Sequence, residues 1–241
     1  MTPTVNLRPA PKVDGARRAP LRWLFALHCM VCGEAGQDGR DLCRACHVAL
    51  PWQGPACLRC ALPLPNPDTC GACLQRSPPL TETHAVFDYA FPLDRLLPRL
   101  KFHHDFASGR VLAQAMADHC ANLVQPDVLL PLPLHRERLR RRGYDQALEL
   151  ARPLARSLNL PLAVGLLQRC KSTSAQSRLD AAARTRNLRG AFRVVPGASV
   201  PAHIALVDDV MTTGASLHSA ARVLLAGGAK RVDAWVCARV A

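Results

Sequence analysis

Residues 203–216, HIALVDDVMTTGAS, constrain the fold of this chain most tightly. The apolar run at 204–207 has the length and branching of a strand covered on both faces, and 215–226 carries helical spacing that stops at Gly227-Gly228. A strand that ends in two acids and turns through small residues into a helix is a building unit of an α/β sheet. Between strand and helix stand Asp208, Asp209, Val210, Met211, Thr212, Thr213, Gly214, Ala215 and Ser216. Backbone N–H groups at a helix N-terminus hold phosphate, and two carboxylates a loop-length away suit sugar hydroxyls or a divalent cation. The pattern therefore predicts a phosphorylated sugar as ligand. A helix cap would explain one Asp or Thr, not the whole set. Both Gly-x-x-x-x-Gly-Lys and Gly-x-Gly-x-x-Gly are missing, which removes the two commonest phosphate loops.

Eight of the 11 cysteines form four Cys-x-x-Cys pairs: Cys29/Cys32, Cys43/Cys46, Cys57/Cys60 and Cys70/Cys73. Each such turn aims two thiolates at one point, and two turns complete the four-sulfur shell zinc prefers, at about 2.3 Å per bond. Short loops join consecutive pairs, so the expectation is two structural zinc sites, 29/32 with 43/46 and 57/60 with 70/73. A fourth cysteine fills the position that a catalytic zinc keeps open. Four disulfides could staple the same module, but no secretory signal accompanies it and a thioredoxin-type site would show one pair, not four. The isolated Cys120, Cys170 and Cys237 are expected to be small buried hydrophobes.

With 241 residues there is room for one α/β domain and a small accessory module. The net charge of +13 favours polyanionic partners. Basic residues concentrate in a Pro/Ala-rich leader (Arg8, Lys12, Arg17, Arg18, Arg22) and in RERLRRRGY at 136–144. The leader, 1–24, is expected to be disordered. The LRWLFAL run after it is short for a signal peptide and lacks a cleavage site, and no stretch approaches the roughly 18 apolar residues of a membrane span. A soluble, cytoplasmic protein is expected. The Pro-containing QRSPPL separates a Cys-rich module, 25–80, from a second domain, 81–241.

In that second domain HAVFDYAF, VLLPLPL, LAVGLLQR, FRVV and RVDAWVCARV read as strands. LDRLLPRLKF reads as a helix broken or kinked at Pro98, GRVLAQAMADHCANLV as a helix, and YDQALELARPLARSL as a helix bent or ended at Pro153. His103 and His104 are adjacent, so they point apart and suit a surface or core role better than a shared ligand site. Alternating strands and helices predict a mostly parallel sheet, with the polar motifs meeting at the strand C-terminal ends.

The loop at 208–216 resembles the phosphoribosyl pyrophosphate loop of type I phosphoribosyltransferases. The order of motifs resembles the ComF/GntX family more broadly: Cys-x-x-Cys pairs, Pro131 and Pro133, Arg138 with Arg142-Gly143-Tyr144 and Gln146, Gln176 with Leu179, Arg184 to Asn187, then the loop. Tyr144-Asp145 stands where Phe-Asn is more usual, which puts local hydrogen bonding in question. The resemblance implies a phosphoribosyltransferase-like sheet preceded by a double zinc ribbon. It implies that the catalytic acids Asp208 and Asp209 hold the ribose hydroxyls, that Thr212 to Ser216 hold the 5-phosphate, and that Val210 and Met211 belong to the same binding loop. Arg138 and Arg142, at the rim, suit a diphosphate bridged by Mg²⁺, and Lys171, Gln176, Arg178 and Arg184 belong to a lid loop. Arg136, Arg140 and Arg141 read equally as a solvated run or a nucleic-acid patch. The implied function is binding of phosphoribosyl pyrophosphate with Mg²⁺, linked to DNA uptake and natural transformation, with single-stranded DNA and other uptake proteins as partners. The alternative is an active transferase that releases pyrophosphate to a base or amine acceptor. With three Trp and two Tyr, DNA affinity would rest chiefly on Arg and Lys.

Overall fold

The computed structural model describes residues 27–171 and 190–241. The leader at 1–24 and Gln176, Arg178 and Arg184 of the expected lid lie outside the described residues. In chain order the elements are α1 (Arg44–Val48), α2 (Gly71–Gln75), β1 (Thr83–Asp88), α3 (Leu93–Phe102), α4 (Phe106–Cys120), β2 (Val128–Pro131), α5 (Arg136–Arg142), α6 (Gln146–Leu158), β3 (Leu167–Arg169), β4 (Phe192–Val194), β5 (His203–Met211), α7 (Ala215–Ala226) and β6 (Arg231–Arg239).

Four strands make one parallel sheet in the order β1-β6-β5-β2. The two central strands are apolar on both faces, as a doubly covered sheet requires: Ile204 to Val207 and Val232, Ala234, Val236 and Cys237 are wholly buried. One face packs on α3, α4 and α6, the other on α7, and each face has its own apolar cluster. LAVGLLQR touches this sheet through the Leu162–Leu129 bridge, and beyond it LAVGLLQR and FRVV leave the sheet. They supply only three paired residues each and form a separate antiparallel ribbon, β3-β4, against α7.

Both sheet edges are covered. Beside β1, Gln53 N–H donates to the Val86 carbonyl and Asp88 N–H to Pro51, each at 2.9 Å; beside β2, Leu129 N–H donates to Pro161 and Ala163 N–H to Leu129, also at 2.9 Å.

Neither internal proline interrupts its helix. α3 runs through Pro98 and α6 through Pro153, because each buries a full apolar stripe, Leu93, Leu96, Leu97 and Leu100 in one and Ala147, Leu150, Ala151 and Leu154 in the other. The carbonyls freed four residues earlier belong to the half-exposed Asp94 and Glu149, within reach of water. Cys120 and Cys237 are buried as expected, but Cys170 is exposed: it follows the short β3 at the edge of the ribbon.

Candidate functional site

The eight paired cysteines gather into two groups, Cys29, Cys32, Cys43 and Cys46, and Cys57, Cys60, Cys70 and Cys73, with the ligand atoms of each group within 4.8 Å of one another. The pairing is sequential: Cys32 and Cys43 sulfurs lie 3.7 Å apart, as do Cys60 and Cys70. Backbone amides are aimed at the sulfurs. Burial works against the Cys29 thiolate, but the amides of Cys43, Cys32 and Val31 outweigh it and bring the thiol down to about 6. The Cys57 thiol likewise comes down to about 7, burial being overcome by the amides of Cys70, Arg59 and Cys60. Four sulfurs so placed, with one thiolate in each group favoured by amide donors, fit tetrahedral zinc.

The sheet brings the remaining motifs to one edge. β2 pairs with β5 in parallel, Pro131 opposite Val207, so the arginine turn that follows β2 and the loop that follows β5 leave the sheet side by side. Gly143, at φ 82, ends α5 in the left-handed conformation, and Asp145 then caps α6 through the amides of Ala147 and Leu148. The other Asp145 oxygen accepts from Leu134 N–H at 3.0 Å, which ties the two ends of the arginine turn together. The Asp at this position thus supplies the local hydrogen bonding, and Tyr144 is buried with its hydroxyl donating to the Leu100 carbonyl.

Asp208 and Asp209 do not follow the strand; they lie inside it. β5 continues to Met211 because β6 pairs along its full length, to Met211 opposite Arg239. The two acids stay one electrostatic pair: Asp208 feels the Asp209 charge and a side-chain hydrogen bond with it, and Lys101 acts on both. Asp209 is buried and bonded to Lys101 of α3 at 3.0 Å. Asp208 accepts from Asp209 N–H at 2.9 Å, and burial, then the Asp209 charge, push its carboxyl well above the usual carboxylate range, against the pull of that amide and of Lys101.

Gly214 takes φ 71 at the start of α7, where no side chain caps the helix. A Cβ here would lie 2.4 Å from Met211 Cε and 3.0 Å from His218 Nε2, so the turn admits only glycine. Thr212 and Thr213 are exposed at its mouth. Beneath it His218 is kept neutral: burial, with the charges of Arg222 and Arg239, brings its imidazole down to about 4.

Of the two motif arginines, Arg142 donates to Gln146 Oε1 and lies over the Phe102 ring, 5.5 Å from its centre. Arg138 is half-buried, and burial with the charges of Arg142 and Arg141 lowers its pKa. Arg169 of β3, above the Phe192 ring, feels burial first, then the Arg138 charge, against Asp208 and Asp145. Lys171 is exposed at the start of the expected lid. His103 and His104 are both exposed, and His104 packs on Tyr144. Lys101, Arg169 and Arg239 belong to the site's surroundings and carry no sequence motif. Lys101 ends a helix, and Arg169 and Arg239 end strands whose register only the fold reveals.

The family model described as "Double zinc ribbon domain" matches residues 20–74. "DNA utilization protein YhgH" of Salmonella typhimurium is 36% identical over 206 residues, covering 82% of this chain and 90% of the relative. The chain belongs to the ComF/GntX family. Within that family, "Competence protein F" of Haemophilus influenzae is 32% identical over 225 residues, 89% of this chain and 98% of the relative. "Competence protein ComFC" of Bacillus subtilis is 29% identical over 227 residues, 92% and 81%. No helix among the described residues is long and apolar enough to cross a membrane.

Proposed function

We propose that this ComF/GntX member binds phosphoribosyl pyrophosphate with Mg²⁺ at the loop between β5 and α7, in the service of DNA uptake or use, and that 81–241 is the ligand-binding unit behind the 25–80 zinc module. The observation that carries the reading is the start of α7. A twelve-residue helix opens on a left-handed glycine with no side-chain cap, leaving its first amides and dipole facing the sheet edge where Thr212 and Thr213 are exposed. Ser216 joins the same first turn. Asp208 and Asp209 supply acceptors for ribose hydroxyls, and Arg138 and Arg142 leave the neighbouring strand at the same edge to meet the diphosphate.

The donor set also fits the cation. A carboxyl that burial and Asp209 make costly to ionise, as at Asp208, gains from a divalent ion arriving with the diphosphate. When bound, Mg²⁺ would neutralise the departing pyrophosphate. In the transferase alternative the chain positions the anomeric carbon, and Arg138 stabilises charge on the leaving group; turnover then needs an acceptor.

A second reading, contact with single-stranded DNA, has its own observation. Phe102 and Phe106 are 62% and 48% exposed beside the arginine turn, with the Arg142 guanidinium over Phe102 and Arg136, Arg140 and Arg141 exposed on the adjoining helix. Exposed rings among arginines suit unstacked bases and a phosphate backbone.

Calorimetry with phosphoribosyl pyrophosphate and Mg²⁺, followed by a pyrophosphate-release assay over a panel of bases, tests the reading. Binding without release selects a ligand-binding protein, release with one base selects the transferase, and absence of binding removes both.

A further inference from the structure

Arg239, the last residue of β6, is 7% exposed, yet every hydrogen bond it makes goes to a backbone carbonyl. Its Nε donates to Cys60 at 2.9 Å, and its Nη1 donates to Met211 at 3.2 Å and to Val240. Among the described residues no carboxylate forms an ion pair with it, whereas all four sulfurs of the second cysteine group lie within its electrostatic reach. A buried guanidinium needs a compensating charge. Four thiolates around one Zn²⁺ carry a net charge of about −2, which supplies it.

The other end of this contact is the base of the loop. Met211 is the last residue of β5, and its carbonyl accepts from both Arg239 Nη1 and the Val240 amide, the latter at 3.0 Å. Its side chain lies directly under Gly214. Among the described residues nothing comparable links the first group to the loop: its neighbouring ion pairs, Arg40 with Asp118 and Arg110 with Asp41, reach α4 instead.

We propose that Arg239 is a positioning residue that joins the metal of the second cysteine group to the phosphate loop, so that filling of Cys57, Cys60, Cys70 and Cys73 sets the order of Met211 to Ser216, whereas filling of the first group does not. The effect on ligand affinity rests on the reading of the loop given above; the effect on loop order does not.

The experiment is hydrogen exchange on the full zinc-loaded chain, read on peptides covering the loop and, as a control for folding, α4 and β2. Metal content and phosphoribosyl pyrophosphate affinity are measured on the same samples. Arg239→Met should keep both metals and the exchange of α4 and β2, while loop exchange quickens about tenfold or more. Arg239→Lys keeps the charge and loses the fork, so it should fall between parent and Arg239→Met. Cys57→Ser with Cys70→Ser should quicken loop exchange like Arg239→Met, and Cys32→Ser with Cys43→Ser should leave the loop as in the parent. Unchanged loop exchange in a metal-replete Arg239→Met, or equal loosening from either cysteine pair, overturns the proposal. If the loop loosens as expected but the parent binds no phosphoribosyl pyrophosphate, the coupling stands and the ligand reading fails.

Discussion

The two faces of the sheet are built alike and used differently. Each carries one cysteine group. On the first face Cys29, Leu42 and Leu50 join the cluster of α3, α4 and α6, and Asp209 meets Lys101 from the same side. On the second, Cys57, Cys60 and Cys73 join the cluster of α7 and the β3-β4 ribbon. The first group exposes Cys32 and is tied down by partly exposed ion pairs, whereas the second has three buried cysteines and a buried arginine fork into the sheet. The same paired Cys-x-x-Cys pattern therefore does not fix what a metal stabilises; attachment does.

Metal removal should separate the faces most widely. Cys57→Ser with Cys60→Ser empties the second site, removes amide-bonded thiolates from an apolar cluster and unlinks Arg239, so the thermal midpoint of the whole chain should fall by about 10 °C or more. The matching Cys29→Ser with Cys32→Ser should unfold its own ribbon and shift the main transition by less than about half of that. Scanning calorimetry with zinc analysis reads both, and equal shifts would erase the distinction.

Asp209→Asn is next. It leaves the Lys101 ammonium facing a neutral amide at a mostly buried site. Lys101 is about one-third exposed, which tempers the loss to roughly 2 kcal/mol. Lys101→Met in the Asp209→Asn background should recover part of this in chemical denaturation, since the orphaned charge goes with it.

Asp208→Asn should act oppositely on stability. Its carboxyl is raised above the unfolded value, so the proton it binds stabilises the fold below the ordinary carboxylate range, about pH 4, and that contribution is lost as pH rises through the folded pKa. At pH 7 the parent bears the cost of a buried carboxyl, whether ionised or holding a proton that the unfolded chain releases. The amide does not, and the variant should melt at the same temperature or higher, with the advantage shrinking toward acid. Phosphoribosyl pyrophosphate binding should nevertheless fall at least tenfold, about 1.4 kcal/mol. A variant that binds as tightly as the parent would detach this acid from the ligand.

The contrast between the acids marks where the sequence stopped being readable. Periodicity placed the strands, the prolines' neighbours and the cysteine pairing, because burial and ligand spacing are local properties. It ended the strand at Val207, because two adjacent carboxylates look like a loop. Only the pairing of β6 with β5, between segments separated by a helix, carries the ladder on to Met211 and takes the acids into the strand. Lys101, Arg169 and Arg239 escaped for the same reason: each acts through a partner distant in sequence. Short strands misled in the other direction, since LAVGLLQR and FRVV have strand chemistry but join the main sheet only through the Leu162–Leu129 bridge and otherwise pair with each other.

The smallest effect is expected at the tether of the first ribbon. Arg40 and Asp118 are 30% and 46% exposed, and their two hydrogen bonds cross from the cysteine loop to α4. Water competes for both groups and salt screens them, so Arg40→Ala should cost about 0.5 kcal/mol and keep its zinc, with the loss fading as ionic strength rises. Arg110→Ala should cost somewhat more, about 1 kcal/mol, because its partner Asp41 is buried and would be left without its cation. A loss above about 2 kcal/mol at Arg40, insensitive to salt, would mean that the first ribbon is held as firmly as the second. The asymmetry between the faces would then have to lie in Arg239 alone.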